Sequence, residues 1–160
     1  MRLPYLPLTM SAMKGFIPPE KYKEILDLIA IPCLDVVARH QGKFLLIKRE
    51  NEPEKGRWGL PGGRIFKSET FVQAANRKLK EEANLTGTIV KITGPYETFF
   101  TEAPFGITSG VHSVNVAVLM DVEDITPLRF DKNHSGAQWF SAIGPDWHPY
   151  VRQVLRDCGF

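Results

Sequence analysis

Hydrophobic positions along the chain change period several times, and each change marks an element. Between Glu20 and Ala30 the apolar residues Tyr22, Ile25, Leu26 and Ile29 recur at helical spacing. Pro18-Pro19 precedes them and suits a helix's opening turn, so an amphipathic helix is expected there. Ile31 to Arg39 and Phe44 to Lys48 are rich in strand-forming residues. His40-Gln41-Gly42-Lys43, between them, has the glycine and polar content of a hairpin turn, which predicts antiparallel neighbours. Asn51 to Gly63 has no period at all and contains four glycines, two prolines and Trp58; a loop that long in a compact domain is usually functional. Helical spacing returns over Glu69 to Ala83, where Phe71, Val72, Ala75 and Leu79 form one stripe and Ser68 is the expected N-cap. Strand-like runs follow at Thr88 to Thr101, broken at Gly94-Pro95, at Val111 to Val122 and at Ala137 to Ser141. A last helix is expected over Pro149 to Cys158. The order predicts an α/β sandwich around a mixed sheet rather than a regular βαβ winding.

Composition narrows the function classes. The chain has 160 residues, 43% hydrophobic and 24% charged, the size of one domain with its own core. We expect an N-terminal extension over residues 1–18 and a single domain over 19–160. Twenty basic against eighteen acidic residues leave a formal charge of +2, too little for a nucleic-acid or acidic-membrane surface. No apolar run approaches the roughly 18 residues of a bilayer span. Pro4 and Pro7 interrupt Met1 to Met13, whose apolar stretch is shorter than a secretory leader requires. Cys33 and Cys158 form neither a metal-ligand spacing nor a disulfide framework, which predicts reduced thiols and a cytoplasmic protein.

Candidate chemistry concentrates between Pro61 and Leu85. On a helix, positions 78, 81 and 82 fall within a sector of roughly 100°. Glu81 and Glu82 therefore flank one face. Two carboxylates so placed are either a solvated surface or the hard-oxygen half of a Mg²⁺ or Mn²⁺ site, to which the Gly62-Gly63 turn allows close backbone approach.

The run Gly63, five residues, Glu69, seven residues, then Arg77-Lys78-Leu79-Lys80-Glu81-Glu82-Ala83-Asn84-Leu85 resembles the Nudix hydrolase signature. The resemblance extends over roughly Ile31 to Ala142 and implies a Nudix-type α/β/α sandwich. Two positions depart from the signature: Lys78 replaces a glutamate, and Asn84 replaces a glycine. Asn tolerates a left-handed helix end, so the second change is mild. The first is chemical, because a charged lysine cannot ligate a metal ion.

Within the superfamily the chain most resembles the GDP-mannose mannosyl hydrolases. The similarity lies in Lys48 to Pro53, Trp58 to Arg64, and Phe130-Asp131-Lys132-Asn133-His134 leading to Gln138-Trp139-Phe140. That resemblance implies hydrolysis of a GDP-hexose at the anomeric carbon with inversion, His134 being the base. It assigns a Mg²⁺ or Mn²⁺ ion to Gly62, Glu81, Glu82 and Asn133, diphosphate contacts and leaving-group help to Arg49 and Arg64, and a homodimeric state. Arg77 is expected to pair with Glu69 and brace the loop. Asp35 is a candidate to face the substrate, and Tyr96 and Phe99 to stack on its base, although strand aromatics more often belong to a core. His40 and His112 carry no motif. Two other functions stay open: a pyrophosphatase attacking phosphorus, and a catalytically silent domain that binds nucleotide sugars.

Overall fold

A computed structural model describes residues 15–160. Most of the expected extension over 1–18 therefore lies outside the described residues. The first helix, α1 (Pro19–Leu28), has Pro18 as its N-cap residue and Pro19 at its first position, where the missing N–H costs nothing. Only Leu26 of its stripe is fully buried. Ile29, expected to pack inward, is instead the extended C-cap residue and largely exposed, because the chain must leave the helix there to enter the sheet.

Strands β1 (Ile31–His40) and β2 (Lys43–Arg49) form the expected hairpin through Gln41 and Gly42, both at positive φ, the conformation of a tight two-residue turn. Their direct pairing covers only Arg39↔Phe44 and His40↔Lys43. Beyond the turn they part. Strand β1 takes β4 (Gly62–Arg64) as an antiparallel neighbour, while β2 takes β3 (Trp58–Gly59). The span read as an unstructured loop, Asn51 to Gly63, thus holds two short strands, each only long enough to bridge the gap between the splayed hairpin arms.

Helix α2 (Phe71–Ala83) starts two residues later than its periodicity suggests. Thr70, not Ser68, is the N-cap: its hydroxyl accepts from the Gln73 N–H at 3.2 Å, and the Gln73 side chain accepts from the Thr70 N–H at 2.9 Å. Ser68 has φ +66°, which turns the chain back before the helix begins. At the other end Asn84 adopts the left-handed conformation, φ +54°, that the signature's glycine would take.

Strands β5 (Thr88–Phe100) and β6 (Val111–Asp121) pair antiparallel, with register shifts at Ile89/Lys91 and Thr93/Tyr96. The Gly94-Pro95 break is a bulge within one strand. Strand β6 runs parallel to β1. Strand β7 (His134–Phe140) begins three residues before the expected Ala137, since an irregularity at Lys48/Arg49 of β2 brings His134 into pairing with Arg49. Helix α3 (Pro149–Asp157) closes the chain.

The described residues form a seven-stranded mixed sheet with the path β3-β2-β1-β6-β5, β4 joined to β1 and β7 to β2. Alternate residues of β1 explain the layering. Leu34, Val36 and Ala38 pack with Ala75, Leu79 and Ala83 of α2, whereas Val37 packs with Val151, Val154 and Leu155 of α3 on the opposite face. This is the α/β/α sandwich expected, with β1 buried on both sides.

Candidate active site

The site grows from the β1–β4 ladder, where Cys33 faces Arg64, Leu34 faces Gly63 and Asp35 faces Gly62. Both glycines are required by close approach. A Cβ at Gly62 would overlap the Asp35 carboxylate and the Leu34 carbonyl, and one at Gly63, at φ +140°, would lie 3.2 Å from the Lys78 ammonium. Above this ladder opens a cavity of about 250 Å³. It is half open to solvent, so a ligand seated in it can extend beyond its walls. Arg49 and Arg64 contribute its cations, and Asp35, Glu52 and Glu54 its carboxylates.

Arg49 donates through Nε to the Pro53 carbonyl at 2.7 Å. Arg64 donates to the Gly15 carbonyl at 2.9 Å and lies over the Tyr22 ring. Each guanidinium is thus anchored by one edge. The Asp35 carboxylate accepts a short hydrogen bond from the Tyr150 hydroxyl. Burial pushes its pKa up to about 6; the Tyr150 bond opposes this, the Glu82 charge adds to it, and Arg49 and Lys78 oppose it. Burial and the adjacent Asp35 charge in turn raise the Tyr150 phenol.

A second cluster lies on the other side of the glycine turn. Glu82, 7% exposed, accepts the Gly62 N–H at 2.9 Å through Oε2 and the Lys78 ammonium at 2.9 Å through Oε1. His134 Nε2 stands 3.9 Å from Glu82 Oε2, and its Nδ1 meets Asp131 Oδ1 at 2.6 Å. A histidine held through Nδ1 by a carboxylate presents the other nitrogen as a base. His134 does not line the cavity; Gly62, which does, connects the two regions through its bond to Glu82.

The other candidates fall in different places. Glu81 is half exposed and bonded to Arg77 at 3.2 Å. Arg77 grips Glu69 at 2.6 and 2.7 Å, lies over the Phe66 ring and donates to the Arg64 carbonyl, fastening the 64–69 segment to α2. Glu69, which precedes the helix, also accepts the Phe66 N–H. Asn133 is exposed, its amide oxygen accepting from Asn51 at 3.1 Å and its amide N–H groups committed toward Asp131. Tyr96 and Phe99 do not line the cavity. Tyr96 bonds Asp157 and packs edge-on against Tyr150, and Phe99, 69% exposed, stacks on His112 outside it.

Sequence reasoning missed the polar wall of the cavity. Thr98, Ser113 and Asn115 are buried there, the Asn115 amide donating to the hydroxyls of Thr98 at 3.2 Å and Ser113 at 3.3 Å. A signal existed: Ser113 and Asn115 lie two apart on β6, on the face that Ala117 and Leu119 continue as core. Tyr150 gave no such signal.

Nudix hydrolases generally use divalent metals such as Mg²⁺ or Mn²⁺. The carboxylates of Glu81 and Glu82 have the right donor chemistry, but the expected four-residue set is not assembled. The Lys78 ammonium lies against Glu82 and 3.9 Å from Glu81, while Asn133 is engaged elsewhere. Among the described residues no group of three or more histidine, cysteine, aspartate or glutamate side chains is placed to hold an ion. As arranged, these residues do not fit an octahedral cation.

Comparison with known proteins agrees with this architecture. The chain is 33% identical over 139 residues to the low-salt glycan biosynthesis protein Agl8 of Haloferax volcanii, covering 87% of this chain and 88% of that one. It is 34% identical over 103 residues to an ADP-ribose pyrophosphatase of Methanocaldococcus jannaschii, covering 64% of this chain and 56% of that protein. Among solved structures, a NUDIX hydrolase from Nitrosomonas europaea superposes with TM-score 0.64 at 20% identity, over 81% of this chain and 88% of that one. A bifunctional NMN adenylyltransferase/ADP ribose pyrophosphatase from Francisella tularensis, solved with AMP and a manganese ion, gives 0.54 at 21%, over 82% and 42%. With the NUDIX domain model matching residues 29–157, and the sheet, glycine turn and α2 carboxylates lying inside that span, the chain belongs to the Nudix hydrolase family.

Proposed function

We propose that the protein hydrolyses a nucleotide sugar of the GDP-hexose type to GDP and free hexose, by attack of water on the anomeric carbon. The observation that carries this reading is the His134–Asp131 pair beside Glu82. It supplies an oriented base while Lys78 stands where the signature has a glutamate. In the reaction His134 Nε2 takes a proton from water as the water oxygen bonds to the anomeric carbon. The bond from that carbon to the diphosphate oxygen breaks, and its electron pair leaves with GDP. Asp131 fixes the ring and stabilises the imidazolium. Arg49 and Arg64 receive the diphosphate and the charge building on its departing oxygen. Thr98, Ser113 and Asn115 supply hydroxyl and amide groups for the ring of the substrate that occupies the cavity.

The likeness to a glycan biosynthesis protein supports a sugar nucleotide as substrate. The two free cysteines support a reducing, cytoplasmic setting. The likeness to an ADP-ribose pyrophosphatase favours one other reading, attack at phosphorus on a nucleoside diphosphate derivative. Product analysis by phosphorus and proton NMR on a panel of nucleotide sugars separates them. GDP and free hexose of inverted anomeric configuration are expected; GMP and hexose phosphate would overturn carbon attack.

A further inference from the structure

Lys78 occupies a place made for it. It precedes Glu82 by four residues and Glu81 by three, so one turn of α2 brings its ammonium onto both carboxylates. The side chain is 16% exposed, and its end passes close over Gly63: a Cβ there would lie 3.2 Å from Nζ and 3.3 Å from Cε. Glu82, buried, has one oxygen committed to the Gly62 N–H and the other to Lys78. A buried carboxylate needs such partners to remain ionised. The lysine therefore provides the compensating charge that a bound cation would otherwise provide.

The local charge balance follows. In the triad of Lys78, Glu81 and Glu82, two carboxylates against one cation leave one negative unit. A glutamate at 78, as in the signature, would leave three. Attraction for a divalent ion scales with that charge, and the ammonium adds direct repulsion at a few ångströms.

We infer that Lys78 is a tethered cation that competes with divalent ions for the Glu81–Glu82 pair, so that an ion reaches Glu82 only by displacing the ammonium. The free protein then binds Mn²⁺ weakly, and the strength of binding is set at position 78. This inference concerns the protein without substrate, so it stands or falls separately from the hydrolytic reading above.

The test measures Mn²⁺ binding to the full chain without nucleotide, by calorimetry and by the electron paramagnetic resonance signal of free Mn²⁺. Wild type is compared with Lys78→Met, Lys78→Gln and Lys78→Glu, with circular dichroism confirming the fold of each. Removing the charge should tighten binding at least about tenfold in both neutral variants. Lys78→Glu should tighten it further, and adding Glu82→Gln to any of them should abolish the gain. Should Lys78→Met fail to fold, the polar Lys78→Gln, which can still donate to Glu82, keeps the comparison. Equal Mn²⁺ affinity in wild type and a neutral variant would overturn the inference, as would a gain that survives Glu82→Gln.

Discussion

Replacing Asp35 with asparagine should stabilise the protein, and only where the carboxyl would be ionised. The carboxyl's pKa rises from 3.8 to about 6 in the folded chain, chiefly by burial. At about 1.4 kcal/mol per unit, that shift is a cost of about 3 kcal/mol for holding the anion in the native state. The attraction of Arg49 and Lys78, the Tyr150 hydrogen bond and the repulsion from Glu82 already act within this net shift. Because the folded value lies above the unfolded one, the native state binds more protons between about pH 4 and pH 6. Stability therefore falls as pH rises through that window. Below it both states are protonated and the cost vanishes; above it the cost is complete.

Asp35→Asn carries no charge, and its amide oxygen can still accept from Tyr150. Urea unfolding of both proteins at pH 4, 5, 6, 7 and 8 should show nearly equal stability at pH 4 and a gap that grows to about 2–3 kcal/mol by pH 8. Asp121, held low by its Arg39 hydrogen bond, titrates alike in both proteins and cancels in the difference. A gap independent of pH, or a less stable variant at pH 8, would refute the reasoning. A variant that gains stability while losing turnover would mark Asp35 as a group kept for the cavity's chemistry at the expense of the fold.

Two further substitutions separate chemistry from scaffold. His134→Ala should lower kcat by about 10²- to 10⁴-fold, the range for a lost general base; wild-type rates in steady-state assays would place water activation elsewhere. Arg77→Met removes a guanidinium held at 2.6 and 2.7 Å by Glu69, whose side chain is 9% exposed, and so breaks a largely buried ion pair. The expected cost of about 3 kcal/mol is a drop of about 9 °C in Tm by calorimetry, and a change within 2 °C would show that the pair does not brace the 64–69 segment.

How far the sequence could be read depends on the distance over which each feature is decided. Helix α2, the β1–β2 turn and the left-handed Asn84 rest on residues within one or two turns of each other and were legible locally; of the expected α2 stripe, however, only Ala75 and Leu79 are buried, while Phe71 and Val72, in the first turn, are exposed. The cap of α2 was equally local: Thr70 followed by Gln73 is a capping box, a stronger signal than Ser68 alone. The start of β7 was not local. His134 enters the sheet because β2 is irregular at Lys48/Arg49, a property of the partner strand. The site divides in the same way. Lys78, Glu81 and Glu82 share a helical sector that any projection reveals, but the ammonium lies against Gly63, fifteen positions away on another element. Asp35 and Tyr150 meet across 115 residues, because α3 packs on the face of β1 opposite α2. Motif residues thus declare which chemistry the chain carries, while the docking of α2 and α3 decides which groups share a cavity. His134 and Asp35 illustrate the consequence: either could serve as a base, one sits beside Glu82 and the other within the cavity wall, and only the packing of the helices tells them apart.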